Sequence, residues 1–443
     1  MTPIGARLAA IERDLEAGLL PVQVFNDPAL YAHELRHVFA KAWVFIGHET
    51  EIPRPGDYAL RTIGEDPFIF VRGSDGAVRV LFNGCRHRGS QVVRSEAGHA
   101  QKFLCAYHGW VYTIDGALEA VPARNLGYRE LDLAAWGLYA APHVASHHGL
   151  VFASLDPAAP PLEEWLGAYR WYLDISLLLS AGGMEVLGEP HRWIVDANWK
   201  QGAENFVGDS SHTMIVHRSA LDAGVTDSAI AGAPGTAYGV HVYECDGNAI
   251  GIRQMPPGHA AFWEYPEEVT RHFRPGRLSD AQFDLARRAL VHDGTIFPNF
   301  SFIHVGLTDS RDRPPAGYLS LRVWQPRGPG RTEILSWILA PREASAEYKQ
   351  RAYRVGMSSF SPSGSFEQDD VAIWPGIARS ARTVFADLVG MKLNYQMGLG
   401  RMSNVEPFAD WPGPGSAVPS NAGESGLRTF HRSWCRHMRA GAA

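Results

Sequence analysis

A segment near the N-terminus has the spacing of hydrophobic residues that is typical of a helix. Apolar residues recur at three- and four-residue spacing between Tyr31 and Ala42. Asp27 is suited to cap a helix that begins at Pro28, because its carboxylate accepts hydrogen bonds from free backbone N–H groups and proline fits the first turn. We predict a helix over residues 28–41.

Beyond this helix the spacing changes to short apolar runs that are typical of β strands. Runs such as 68–71 and 78–82 are separated by Gly, Pro and Asp-Gly pairs, which favour turns. The proline-rich stretch 156–161 is typical of a boundary between domains. The pattern predicts an N-terminal helical segment over 1–40, a small β domain over 41–157 and a second domain over 158–443, against which the helical segment packs.

The second domain has a mixed pattern. Ser279 to Gln282 forms a capping-box motif, which predicts a helix that runs as far as Gly294. Residues 318–325 and 332–339 predict two strands around a turn rich in Pro and Gly, and hence an antiparallel sheet. We therefore predict an α+β fold, with a small all-β domain followed by a domain of antiparallel sheet flanked by helices.

Composition narrows the functional class. A chain of 443 residues exceeds the length at which one hydrophobic core stops growing, so two domains are expected. The net charge of −6 comes without a long basic run, which disfavours a nucleic-acid partner. The charged first twenty residues and the lack of an 18-residue apolar run indicate neither a signal peptide nor a membrane span, so we expect a cytoplasmic protein.

Two of the four cysteines stand in short motifs with a histidine. Cys85 and His87 form a C-x-H motif, and Cys105 and His108 form a C-x2-H motif further along. A Rieske [2Fe–2S] cluster uses these ligands, with two cysteines on one iron and two histidines on the other. Zinc fingers use the same residue types but pair cysteine with cysteine and histidine with histidine, so the spacing favours the Rieske cluster over zinc.

A second set of metal-binding side chains follows in the larger domain. His212 and His217 are five residues apart, and Asp209 precedes them. On an ideal helix these imidazoles would point about 140° apart, so joint metal binding requires a bent or broken helix. With one carboxylate from segment 366–370 they would form the facial triad of non-heme Fe(II) oxygenases. Two unrelated histidines are the alternative, but an electron-transfer cluster in the same chain calls for a site that consumes electrons.

Five ordered segments resemble the large α subunits of Rieske non-heme iron ring-hydroxylating dioxygenases, such as naphthalene and biphenyl dioxygenases. The likeness covers most of the chain. These segments are residues 85–110, 198–217, 295–299, 322–329 and 366–370.

The resemblance assigns roles to both sets of metal-binding residues. It implies a [2Fe–2S] Rieske cluster in the first domain and a mononuclear Fe(II) in the second, with the second aspartate of the pair 369–370 as the iron ligand. The implied cluster ligands are Cys85, His87, Cys105 and His108, and the implied iron ligands are His212, His217 and Asp370.

The resemblance also implies catalytic and substrate-binding residues. It makes Asp209 and Asn205 catalytic, with Asp209 linking His108 of one subunit to His212 of the next. Many relatives have tyrosine just before the first iron histidine, whereas this chain has Ser211, which leaves the surroundings of that histidine undefined. Residues expected to line the substrate pocket are Asn205, Phe206 and Phe366.

The implied reaction is conversion of an aromatic ring and O2 into a cis-dihydrodiol. Electrons would come from NADH or NADPH through a ferredoxin, a reductase or both. The implied assembly is a homotrimer, or an α3β3 complex with a separate small β subunit. The expected substrate is a neutral bicyclic or polycyclic hydrocarbon.

Several alternatives stay open from the sequence. The same metals serve Rieske monooxygenases and demethylases, and an aromatic carboxylate substrate would need a basic residue in the pocket, for which Arg218, Arg253 and Arg322 are candidates. An electron carrier without mononuclear iron and a zinc-stabilised interaction module are functions of other classes. Cys245 and Cys435 have no assigned role and are expected to be structural.

Overall fold

The structure is a computed structural model that describes residues 4–225, 238–245, 247–400, 407–420 and 423–441. The chain divides into two compact units, Phe39–Leu162 and Met1–Val38 with Glu163–Ala443. Its α-helices are α1 (Ile4–Glu16), α2 (Pro28–Glu34), α3 (Arg124–Gly127), α4 (Leu162–Leu166), α5 (Arg170–Leu177), α6 (Trp199–Asn205), α7 (Ser210–Val216), α8 (Arg218–Ala223), α9 (Glu267–Thr270), α10 (Asp280–Arg288), α11 (Ala346–Phe360), α12 (Ser365–Ala381), α13 (Val384–Leu388) and α14 (Ser425–Ala440).

The strands are distributed over both units. They are β1 (Leu19–Pro21), β2 (Trp43–His48), β3 (Asp57–Ile63), β4 (Asp66–Arg72), β5 (Val78–Phe82), β6 (Ala97–His99), β7 (Lys102–Leu104), β8 (Val111–Thr113), β9 (Leu118–Ala120), β10 (His143–His147), β11 (Leu150–Ser154), β12 (Met184–Val186), β13 (His191–Val195), β14 (Tyr238–Cys245), β15 (Asn248–Gln254), β16 (Ala289–Ile296), β17 (Phe300–Leu307), β18 (Ala316–Pro326), β19 (Thr332–Pro341), β20 (Lys392–Asn394) and β21 (Ser416–Pro419).

The smaller unit is built from short antiparallel sheets. Their strand orders are β5-β4-β3-β6, β7-β8-β9 and β10-β11-β2. Apolar side chains from β4, β5, β7 and β8 form a core that also contains Cys85, Cys105, Trp110 and Tyr112. The predicted small β domain is therefore present, and its core holds both cysteine motifs.

The larger unit is organised around one antiparallel sheet. Its strand order is β12-β19-β18-β17-β16-β15-β14-β21, and β13 also pairs with β19. Every residue of β18 and β19 is buried, as expected for central strands covered on both faces. Helix α11 covers part of this sheet, with the Tyr348 hydroxyl donating to the Gly317 carbonyl at 2.8 Å. The predicted pair of strands and the α+β class are confirmed.

The predicted N-terminal helix is present with a change of winding. Asp27 caps α2 by accepting hydrogen bonds from the backbone N–H groups of Ala29 and Leu30. The α-helix ends at Glu34 and continues as a π-helical turn over Leu35–Phe39. No helix in the described ranges is long and apolar enough to cross a membrane.

One predicted helix ends earlier than expected. Ser279 caps α10 with a full capping box, but the helix stops at Arg288 and not at Gly294. Residues 289–296 instead form β16, which pairs with β15 and β17. Local capping fixes where the helix starts, whereas pairing with distant strands decides where it stops, because tertiary context overrides local propensity.

Candidate metal centres and substrate pocket

The two cysteine motifs form matching loops in the smaller unit. The first follows β5, and the second joins β7 to β8. In each loop the cysteine carbonyl accepts a hydrogen bond from the glycine four residues later, Gly89 or Gly109. Both glycines have positive φ, 77° and 72°, which glycine adopts without a steric penalty. The loops therefore present one cysteine and one histidine each in the same way.

The four side chains of this cysteine–histidine site lie close together. Cys85 and Cys105 are buried, and the His87 and His108 rings lie 4.5 Å apart between centroids. His87 also stacks on Trp110 at 5.2 Å.

One polar atom of this site has no hydrogen-bond partner within the described protein. Burial raises the pKa of the Cys85 thiol, and Nδ1 of His87 is buried without a hydrogen-bond partner. Buried polar atoms of this kind are uncommon unless a ligand satisfies them. Two thiols and two imidazoles match the ligand chemistry of a Rieske cluster, so these residues fit such a group.

The second set of histidines lies at a break between two helices. His212 is on α7, whereas His217 has φ −91° and ψ 23° and separates α7 from α8. The two rings lie 5.3 Å apart between centroids. The helix is thus broken where the five-residue spacing requires it, which brings both imidazoles to one site.

Asp370 of α12 completes this histidine–aspartate site. Its Oδ1 atom lies 3.6 Å from Nε2 of His212 and 3.5 Å from Nε2 of His217. Candidate ligand atoms of the three side chains all lie within 4.8 Å of one another. Asn205 donates to the other oxygen, Oδ2, at 3.3 Å, which leaves Oδ1 directed at the histidines.

Asp369 lies on the other side of His217. Its carboxylate is 3.5 Å from Nδ1 of His217, and the Ser219 hydroxyl donates to it at 3.0 Å. A carboxylate in this position holds the tautomer and orientation of an imidazole whose Nε2 binds a metal. The structure therefore places the two neighbouring aspartates on different sides of His217.

Burial keeps one of the two histidines of this site in the neutral form that binds a metal. Burial lowers the pKa of His217 to about 4, so this imidazole is neutral at pH 7 with a free lone pair. Burial raises the pKa of Asp370 to about 7 despite the nearby charge of His212. A bound divalent cation would offset this desolvation cost, so the three side chains fit a metal ion better than they satisfy one another.

Asp209 and Ser211 flank His212. The Asp209 carboxylate lies 3.4 Å from Nδ1 of His212, within ion-pair range, although Nδ1 has no well-aligned hydrogen bond. Burial lowers the pKa of His212, but the carboxylates of Asp209 and Asp370 outweigh it and leave that pKa raised. Ser211 is exposed, and its hydroxyl lies 3.8 Å from Met397 Sδ.

A cleft lined by both polar and apolar side chains opens onto the histidine–aspartate site. The three predicted pocket residues all line it, and Phe366 stacks on Phe360 at 5.3 Å. Its lining residues are Asn205, Phe206, Asp209, His212, Thr213, His217, Arg253, Val291, Asp293, Ile303, Val305, Leu307, Phe360, Phe366 and Asp370.

Sequence reasoning missed the strand residues of this lining. Val291 and Asp293 on β16, and Ile303, Val305 and Leu307 on β17, alternate along their strands. This period of two was available as a signal on β17, but the helix predicted over β16 hid the residues of that strand.

The three arginines considered as partners for an acidic substrate occupy different places. Arg218 pairs with Asp222 on the exposed face of α8. Arg322 is buried and pairs with Glu367. Only Arg253 of the three lines the cleft, together with Asp293, whose carboxyl has its pKa raised to about 7 by burial.

Cys435 does not join either site. Cys435 is buried on α14, and burial raises the pKa of its thiol to about 12, so the thiol is uncharged at pH 7. The side chain of Cys245 lies outside the described part of the structure.

Each of the two sites lies in a part of the chain that matches a known domain family. Residues 42–132 match the model of the Rieske [2Fe-2S] domain, and residues 162–440 match the ring hydroxylating alpha subunit (catalytic domain). The chain is 35% identical to an N,N-dimethyl phenylurea N-demethylase subunit alpha from Sphingobium sp. (strain YBL2), over 97% of this chain and 94% of that one. It is 34% identical to a biphenyl dioxygenase subunit alpha from Paraburkholderia xenovorans (strain LB400), over 96% and 92%.

A solved structure shows the same fold. The naphthalene 1,2-dioxygenase from Rhodococcus sp. bound to indole superposes with a TM-score of 0.92 and 39% sequence identity, over 99% of both chains. The matches span both compact units, and they distinguish the cysteine–histidine site from a zinc site that its ligands alone would also allow. This chain therefore belongs to the Rieske ring-hydroxylating oxygenase alpha subunits, which combine a [2Fe–2S] domain with a catalytic domain for a mononuclear iron.

Proposed function

We propose that this protein is the oxygenase component that dihydroxylates the ring of a neutral bicyclic or polycyclic aromatic compound to a cis-dihydrodiol. The observation that carries this proposal is the cleft, because His212, His217 and Asp370 line it together with aromatic and aliphatic side chains. Aromatic and aliphatic side chains beside a metal site can bind an aromatic ring and exclude water from the reacting atoms.

The proposal assigns the metals to the two sites. Cys85, His87, Cys105 and His108 would hold the Rieske cluster, and His212, His217 and Asp370 the mononuclear Fe(II). When bound, these groups supply single electrons and the reductive activation of O2.

The surrounding residues act by positioning these ligands. Asn205 holds Oδ2 of Asp370, so that Oδ1 stays directed at the two histidines. Asp369 would orient His217 from its Nδ1 side, and the carboxylate of Asp209 lies 3.4 Å from Nδ1 of His212, within ion-pair range. Each ligand is thus oriented before any metal binds, as expected where a metal must keep coordination positions open.

The electrons would come from NADH or NADPH through a ferredoxin, a reductase or both. We propose a homotrimer, or an α3β3 assembly with a small β subunit, in which Asp209 connects His212 to His108 of a neighbouring copy. The 31% exposed side chain of Asp209 supports this contact, because a carboxylate with free surface is accessible to another subunit.

Oxidative N-demethylation is a second candidate. The similarity to an N-demethylase alpha subunit over 97% of this chain supports it, since the same metals serve that reaction. Arg253 and Asp293 in the cleft are also unexpected for a pocket that binds only hydrocarbons.

A single-turnover experiment tests the proposal. Iron-replete protein is reduced chemically and mixed with 18O2 and one of four compounds: naphthalene, biphenyl, an N,N-dimethyl phenylurea or an aromatic acid. We expect naphthalene or biphenyl to gain two labelled oxygens. Formaldehyde and N-demethylated product without ring labelling would favour the second candidate, and labelling of the acid alone would contradict a neutral substrate.

A further inference from the structure

One wall of the cleft carries two opposite charges. Arg253 and Asp293 both line it, on the neighbouring strands β15 and β16. Neither residue belongs to the histidine–aspartate site or to the apolar surface that an aromatic ring needs, so their presence calls for a separate explanation.

Strand register places the two side chains on one face of the sheet. Arg253 lies opposite Val291, and Gly251 lies opposite Asp293. Side chains two residues apart on a strand share a face, so Arg253 and Asp293 are diagonal neighbours, about 7–8 Å apart at this kind of register. A small polar group has room to contact both of them.

The absence of a side chain at Gly251 makes room for the carboxylate. A Cβ atom built on Gly251 would lie 2.8 Å from Oδ1 of Asp293, which is closer than real contacts allow. Among the described residues, no other residue donates a hydrogen bond to this carboxylate, although it lines the cleft and is half-buried. A ligand that donates a hydrogen bond to this carboxyl would offset its desolvation.

The charges around this wall disfavour an ionic substrate. An anion attracted by Arg253 would meet Asp293 beside it, and the carboxylates of Asp209 and Asp370 also line the cleft. A cation would meet Arg253. A neutral group with a donor and an acceptor side by side satisfies both residues, because its N–H is donated to Asp293 and its carbonyl accepts from Arg253. The carboxyl of Asp293 keeps an acceptor oxygen whether or not it is protonated.

We infer that Arg253 and Asp293 form a specificity site for a neutral aromatic substrate that carries an amide-type substituent, such as an aryl carboxamide or an arylurea. This inference rests on the proposed function, since it requires that the cleft binds the aromatic substrate. The proposed substrate is then an aromatic ring that carries an amide-type group, and not a hydrocarbon alone.

Equilibrium binding to the metal-loaded protein under anaerobic conditions tests the inference. The probes are naphthalene and 2-naphthamide, which differ only by the amide group, and the readout is the Kd of each for wild type and for three variants. Asp293→Ala removes the acceptor. Gly251→Ala keeps every charge but displaces the carboxylate. Val291→Ala is the matched control, because it shortens a side chain of the same wall without changing its polarity.

We expect Asp293→Ala to weaken binding of 2-naphthamide by about tenfold or more while changing naphthalene by less than about threefold, as for loss of one hydrogen bond to a charged group. Gly251→Ala should act in the same direction, and Val291→Ala should weaken both probes equally. Equal weakening of both probes in Asp293→Ala and Gly251→Ala would overturn the specificity site.

The outcome for wild type separates this inference from the proposed function. Binding and 18O2 labelling of naphthalene with exclusion of 2-naphthamide would overturn the inference and leave the proposed function standing. Failure of the wild type to bind or oxidise either arene would overturn both.

Discussion

At the scale of single residues, two adjacent aspartates face different atoms of the histidine–aspartate site. Asp369 and Asp370 are neighbours on α12, yet Asp370 faces Nε2 of both histidines and Asp369 faces Nδ1 of His217. Successive residues on a helix point about 100° apart, so only one aspartate of such a pair can enter the site.

This difference predicts the metal content of two matched variants. Asp370→Ala removes a proposed ligand and should lower iron content by about one atom per chain, while the visible absorption of the cluster stays unchanged. Asp369→Ala removes only the orienting carboxylate and should keep the iron, with activity about 10–100-fold lower. Iron analysis and absorption spectra of both variants check this, and equal iron loss in the two would contradict the assignment.

The role proposed for Asp209 predicts a loss of turnover without a loss of metal. Asp209→Ala should keep both metals but lower product formation by more than about tenfold, because it removes the group that orients His212 and connects it to a neighbouring subunit. Asp222→Ala is the control, since Asp222 pairs with Arg218 on an exposed surface. Steady-state product formation and iron analysis check this, and normal turnover of Asp209→Ala would rule out the inter-subunit route.

At the scale of elements, one buried carboxylate ties three helices together. Glu34 at the end of α2 accepts hydrogen bonds from Nε1 of Trp199 at 2.9 Å and Nε1 of Trp434 at 2.8 Å. It also pairs with the ammonium of Lys200, and both of these charged side chains are almost fully buried. The N-terminal segment is therefore held to α6 and α14 by a network in which each polar group has a partner.

Removal of one member of this network should destabilise the larger unit. Glu34→Ala leaves Lys200 buried without its counter-charge, and we expect the free energy of unfolding to fall by about 3–5 kcal/mol. The double variant Glu34→Gln/Lys200→Met removes both charges and should lose less. Arg7→Ala breaks the partly exposed pair with Asp27 and should cost about 1 kcal/mol or less. Denaturant unfolding measures all three, and equal losses would refute the explanation.

Because residues 289–296 form the strand β16 and not a helix, different side chains line the cleft. The capping box at Ser279 correctly starts α10, but the sequence pattern continued that helix into residues that pair with β15 and β17. A strand directs alternate side chains to one face, so this change of element places both Val291 and Asp293 in the cleft.

At the scale of the whole molecule, each compact unit contains its own metal site. The cysteine–histidine site lies within Phe39–Leu162, and the histidine–aspartate site lies within the larger unit. The cysteines of the first site are buried in a core of their own, whereas the second site opens onto a cleft. The two metals should therefore respond differently to a chelator.

Selective removal of iron tests this independence. An Fe(II) chelator applied to reduced protein should abolish substrate oxidation while the absorption spectrum of the cluster persists. Addition of Fe(II) should restore activity, and addition of Zn²⁺ should not, because zinc has no redox chemistry. Loss of the cluster spectrum in parallel with activity would show that the sites are not independent.

The sequence by itself determined the domain order, the β and α+β character of the two parts, and the metal-binding motifs. These features depend on residues close together in the chain, such as Cys85 with His87, or on a periodicity within one strand or helix. The family resemblance added the choice of Asp370 over Asp369, which local spacing left open.

The features that depend on contacts between distant segments of the chain were decided only by the tertiary structure. It broke the helix at His217 so that both histidines face α12. It also placed residues 289–294, the end of a predicted helix, in the strand β16, and set Arg253 beside Asp293 in the cleft. These contacts join residues separated by tens to more than a hundred positions. Their register follows from the packing and pairing of whole elements, which no local pattern specifies.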